Sequence, residues 1–136
     1  MLNSYKEYVK FLSTLLGKFD AIQDVEFSAY LTSATKGTGS GKITFDRNIV
    51  LAFNEQINFK QKQLAKYGYV VYQADEKLYC YDSQPHPDDP FLAVTHPHHK
   101  HIPPDIKHHR IPAPGLSFDR SNLEFIIHEI ETTLLS

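Results

Sequence analysis

The chain has 136 residues, a net charge of −2 with histidine neutral, and apolar and charged shares of 41% and 22%. That composition is globular, the length suits one domain (1–136) with a real core, and no global basic field announces nucleic acid. The single cysteine, Cys80, excludes an internal disulfide and fits a reducing compartment.

The start, "MLNSYKEYVKFLSTLLGKFD", lacks the basic opening, unbroken apolar run and cleavage site of a signal peptide. No apolar stretch reaches membrane-spanning length, so a soluble cytoplasmic protein with no membrane contact is expected. Within residues 1–20, Ser4 and Glu7 have capping-box spacing. Tyr8, Phe11, Leu12, Leu15 and Leu16 follow at helical spacing, and Gly17 can end the run. An amphipathic helix is predicted there.

Residues 24–82 read as an antiparallel β meander. In "VEFSAYLTS", Val25, Phe27, Ala29 and Leu31 alternate as in a strand. "ATKGTGSG" reads as a flexible connection. "KITFDRNIVLAFNEQINF" reads as a hairpin turning near Asp46-Arg47-Asn48, and "YGYVVYQADEKLYCYD" as another turning near Ala74 to Lys77.

The composition then changes. All eight prolines lie between Pro85 and Pro114, and seven of the eight histidines between His86 and His109. Proline removes backbone donors and fixes φ, so residues 83–118 read as a long loop without a regular helix or central strand. Phe91, Leu92, Val94, Ile102 and Ile106 suggest that it docks. Residues 119–135 carry a second capping-box spacing, Ser121 with Glu124, and an apolar stripe of Leu123, Ile126, Ile127, Ile130 and Leu134. The predicted fold is α+β, an antiparallel sheet of about five strands with N- and C-terminal helices and a long Pro/His-rich loop.

"TGSGKIT" imitates a phosphate-binding loop. Lys36 stands where the first glycine is needed, Ile43 follows Lys42, and a strand rather than a helix comes next, so the pattern fails.

The block "THPHHKH" carries the chemistry. One reading is metal binding, with zinc at His96, His98, His99 and His101, because His-x-His on an extended chain puts two imidazoles on one face. The block lacks a Cys pair or HExxH, and Asp82 or Glu55 could complete a set. The second reading is metal-independent acid/base cleavage of an RNA phosphodiester, needing an acid, a base and a cation. His99 and His101 would be acid and base, Lys100 would hold the scissile phosphate, and His86, Asp82 and Glu55 would orient or assist. His98, Tyr81, Lys107 and Arg110 are candidate substrate-binding residues. Between His96 and Arg110, three Lys/Arg face one Asp, with six histidines that can each gain charge. The third reading is a solvated tract with no chemical role.

Glu55 shares the apolar face of Ile49, Leu51, Phe53, Ile57 and Phe59. It is either a buried base with a raised pKa or a group meeting water where the strand bends or ends. Asp82 follows Leu78 and Cys80 on one face and can orient a histidine or cap a turn. Tyr67, Tyr69, Tyr79 and Tyr81 share a face, where they could stack bases, although cross-strand packing is commoner. His128 reads as a surface residue, and Glu124, Glu129 and Glu131 as a solvated acidic face.

The order "YGYVVYQ…KLYCYDSQPHP…THPHHKHIP" before an amphipathic helix resembles the TumE family, the toxin side of TumE–TumA toxin–antitoxin pairs. The matching positions are Glu55, Tyr67 and Tyr69, Tyr81-Asp82-Ser83, Pro85-His86 and Pro97-His98-His99-Lys100-His101, within roughly residues 41 to 134. Ser83 replaces the usual Asn, and "PPDIKHHRIPAPGLSFDR" is an added stretch. The resemblance implies a type II toxin, an RNase-like action, and neutralisation by a small DNA-binding antitoxin. No cofactor is expected on the acid/base reading, and a homodimer is left open.

Overall fold

The computed structural model describes residues 1–83, 97–106 and 108–136. The chain opens with helix α1 (Tyr5–Lys18), whose N-cap Ser4 accepts the Glu7 backbone N–H, as the capping spacing predicts. Gly17 lies inside this helix, which ends at Phe19. Seven strands follow: β1 (Ile22–Leu31), β2 (Lys36–Phe45), β3 (Ile49–Asn58), β4 (Gln63–Gln73), β5 (Glu76–Asp82), β6 (His99–His101) and β7 (Arg110–Pro112). Helix α2 (Leu123–Thr133) closes the chain. The strands form one sheet in chain order, every neighbour antiparallel. The α+β class with flanking helices therefore holds, with seven strands among the described residues in place of about five.

Both hairpins turn where the sequence indicates. Arg47 and Asn48 have φ of 61° and 60°, and Ala74 and Asp75 of 48° and 70°. Two consecutive positive φ values match the right-handed twist of the strands they join.

The tract that reads as a flexible connection is strand β2. Its odd positions Gly37, Gly39 and Gly41 continue into buried Ile43 and Phe45 on the helix-bearing face. A Cβ at Gly39 would lie 2.3 Å from Tyr8 Oη, and one at Gly41 2.1 Å from the Glu26 carbonyl oxygen. Gly39 lets Tyr8 of α1 lie directly on the strand, and Gly41 lets the β1 backbone approach it.

The proline-rich segment also contains strand. Its prolines bracket a proline-free triplet, His99–His101, which pairs on both sides and is a central strand. Proline enters only at the end of the last strand in the sheet order, β7, where a missing donor is tolerated. Ile102 and Ile106 are half-buried, whereas Phe91, Leu92 and Val94 lie outside the described residues.

One sheet face carries both helices and the core. Tyr8, Leu12 and Leu15 of α1 and Leu123, Ile126, Ile127 and Ile130 of α2 are buried against Leu51, Phe53, Tyr69, Val71 and their neighbours. The opposite face, called the open face here, carries no helix among the described residues, and Asn54 and Gln56 are exposed there between half-buried Val50, Ala52 and Val70. The second capping box does not form. Asn122 is the N-cap of α2, its side chain accepts from Ser117 N–H and donates to Ser117 O, and Ser121 is engaged elsewhere.

Candidate functional site

Strands β5 and β6 pair Asp82 with His99, Tyr81 with Lys100 and Cys80 with His101. Strand side chains alternate between faces, so this register decides the site. Asp82, His99 and His101 share the open face, while Lys100 shares the helix face with Tyr81.

On the open face the donors converge. His99 Nε2 lies 2.7 Å from Asp82 Oδ1, and His101 Nε2 lies 3.1 Å from Asp82 Oδ2. The two Nε2 atoms are 3.0 Å apart. His99 Nδ1 is 3.1 Å from the Pro97 carbonyl oxygen, and His101 Nδ1 is 2.7 Å from that of Ile106. A carbonyl only accepts, so each Nδ1 donates its N–H to a carbonyl and each ring turns its Nε2 into the cluster. His99 is 1% exposed and the Asp82 side chain 31%, so solvent reaches the group past the carboxylate. Arg110 of β7 pairs with His101 and shares this face. Gly68 of β4 pairs with Asp82, and a Cβ there would meet nothing within 4 Å, which leaves room beside the carboxylate.

Lys100 does different work. Its Nζ sits 4.2 Å from the Tyr79 ring centroid, 5.0 Å from that of Tyr81 and 3.6 Å from a Glu129 carboxylate oxygen. Tyr81 Oη donates to the same carboxylate at 2.8 Å. Lys100 and Tyr81 thus fasten α2 to the sheet, on the face opposite His99 and His101. Glu124 similarly meets Lys18 at 2.9 Å, so the acidic side of α2 is less solvated than its sequence suggests, although His128 is exposed as expected.

His98 also falls on the helix side. Its ring stacks on Tyr67, the Tyr67 hydroxyl hydrogen-bonds Nδ1, and Phe118 packs 4.6 Å away between centroids. Burial, with Asp82 second, pushes the Tyr67 phenol well above its ordinary pKa, so it stays protonated. Tyr67, Tyr69, Tyr79 and Tyr81 do share one face, and all four are buried in the core.

Glu55 is fully buried in a strand that continues past it, which overturns the reading in which it meets water. It accepts hydrogen bonds from Tyr8 Oη at 2.8 Å, Ser121 Oγ at 2.7 Å and the Tyr69 hydroxyl. Burial raises its pKa, against these donors, which lower it. Glu55 ties α1, β4 and the start of α2 together on the helix face, where Asp82 and the two histidines do not lie. Sequence reasoning misses Tyr8 and Ser121 as its partners, although both carry hydroxyls at helix starts. His86, His96 and Lys107 lie outside the described residues. A hollow of about 680 Å³ on the open face, lined by Asp24, Glu26, Lys42 and Tyr72 among others, includes none of the clustered residues.

The family model for the toxin TumE matches residues 12–134. The chain belongs to the TumE toxin family. The match extends the likeness seen from residue 41 back through all of β1 and into α1. Nothing among curated proteins or solved structures matches the chain. No helix among the described residues is long and apolar enough to cross a membrane.

Proposed function

We propose that this TumE-family chain is the toxin of a toxin–antitoxin pair and that it cleaves RNA at the Asp82, His99 and His101 cluster. The observation that carries the reading is the convergence of His99 Nε2, His101 Nε2 and the Asp82 carboxylate, at contacts of 2.7, 3.0 and 3.1 Å, on a solvent-reached sheet face. Phosphodiester cleavage needs a group that takes the proton of an attacking hydroxyl and positive charge that stabilises the phosphorus oxygens. The cluster offers the first, and Arg110 beside His101 offers a planar cation suited to phosphate. RNA fits better than DNA because its 2′-hydroxyl supplies a nucleophile next to the scissile bond. In this reading the phosphate-binding role expected of Lys100 passes to Arg110, because alternation puts Lys100 behind the sheet. A cognate antitoxin, DNA-binding as in TumE–TumA pairs, is the natural partner.

The test is expression of wild type and of a His99→Ala/His101→Ala variant in separate cultures, followed by growth curves and mapping of RNA 5′ ends. Arrest with discrete new ends from wild type alone supports the reading. Arrest by both proteins, or arrest without new ends, sinks it, provided the variant is soluble and cooperatively folded.

A further inference from the structure

We infer that Asp82, His99 and His101 bind a divalent transition metal ion of the zinc class. Both Nδ1 atoms donate to carbonyls, those of Pro97 and Ile106, so both rings turn Nε2, the nitrogen left for a metal, toward Asp82. The two Nε2 atoms lie 3.0 Å apart, that of His99 2.7 Å from Asp82 Oδ1 and that of His101 3.1 Å from Asp82 Oδ2. A tetrahedral ion with bonds of about 2.0–2.1 Å holds its ligand atoms roughly 3.3 Å apart. The two Nε2 atoms, 3.0 Å apart, need to part by only a few tenths of an ångström to match.

The surroundings fit the same chemistry. Metal-bound imidazoles generally donate the other ring N–H to a carbonyl or carboxylate, which sets the tautomer and the ring direction. Here both rings do so. The His-x-His spacing lies on a strand paired on both sides, so its two imidazoles are held on one face by backbone hydrogen bonds. Two nitrogens and a carboxylate suit zinc and its borderline neighbours better than magnesium or calcium, which prefer oxygen alone. The described residues supply three donors, the number seen in open catalytic sites rather than closed structural ones, and the solvent-reached side of Asp82 faces outward. The role of the ion rests on the RNA-cleavage reading, where with the cluster's donors bound it would supply a Lewis acid beside Arg110 and the hydroxyl proton would pass to water in place of the cluster; the binding itself does not rest on that reading.

The experiment uses the full chain, purified without a polyhistidine tag, stripped with chelator and titrated with zinc by calorimetry, with native mass spectrometry for stoichiometry. One zinc per chain is expected. His101→Ala and Asp82→Asn should each weaken binding by at least about 100-fold, while His128→Ala leaves it unchanged. No stoichiometric zinc, or wild-type affinity in both site variants, overturns the inference. Should those variants unfold, X-ray absorption of the zinc-loaded wild type decides. A first shell with two imidazoles and oxygen supports the site, whereas a thiolate or four imidazoles overturns it. Zinc held at these residues without any RNA cleavage would refute the RNA reading and leave the site standing. RNA cleavage by a chain that binds no zinc there would do the reverse.

Discussion

Replacing Glu55 separates a structural carboxylate from a catalytic one. Three buried hydroxyls, from Tyr8, Tyr69 and Ser121, donate to it. Glu55→Ala orphans all three, and an unsatisfied buried hydroxyl costs about 1–2 kcal/mol. Removing the buried carboxylate returns part of that sum by ending its desolvation. The expected loss is about 3–4 kcal/mol, or roughly a 10–15 °C fall in Tm for a chain of this size. Glu55→Gln keeps one acceptor and should lose about 1 kcal/mol. Burial raises the Glu55 pKa above its unfolded value, so its stabilising contribution is present in full below the unfolded pKa of about 4.3. That contribution is lost as pH rises through the folded pKa. The stability advantage of wild type over Glu55→Gln should therefore shrink from acid toward neutral pH. Urea unfolding across that range measures both effects. A loss under about 1 kcal/mol in Glu55→Ala, or a pH-independent gap to Glu55→Gln, would refute the reasoning.

The glycines give a paired prediction. Gly39→Ala drives a Cβ into Tyr8 Oη and should cost about 2–3 kcal/mol by thermal denaturation. Gly17→Ala, inside α1 with nothing within 4 Å of its added carbon, should instead gain about 0.5–1 kcal/mol. Lys100→Met removes the cation over Tyr79 and the contact with Glu129, so it should lose about 1 kcal/mol. Because Lys100 sits behind the sheet, the same variant should keep zinc affinity within about threefold of wild type. A large loss of zinc binding there would mean that the two faces are coupled.

Local signals explain what the sequence reveals. Hairpin turns, the alternation through Ile49 to Ile57 and both apolar helix stripes depend on near neighbours, and they are legible. The Asp82, His99 and His101 face is half legible. His-x-His spacing and the place of Asp82 at a strand end are visible, but their pairing needs the register of two distant segments. The same alternation rule moves Lys100 to the other face, an implication hidden when "HHKH" is read as one block. Strand β2 is masked because glycine reads as a break, and its purpose appears only with Tyr8 lying on it. Strand β6 is masked by the prolines around it. Two partners of Glu55, Tyr8 and Ser121, lie 47 and 66 residues away, beyond any local pattern. The family match adds the toxin assignment, which no single contact supplies.

The most direct test of the central claim is RNA cleavage by the purified chain in vitro. Wild type and Asp82→Asn, each shown to be folded by circular dichroism, are incubated with total RNA and the 5′ ends are mapped. The account predicts discrete ends from wild type and a rate at least about 100-fold lower from the variant, as expected when a group at the reacting centre is removed. Equal cleavage by the two proteins, or intact RNA with wild type, would contradict it.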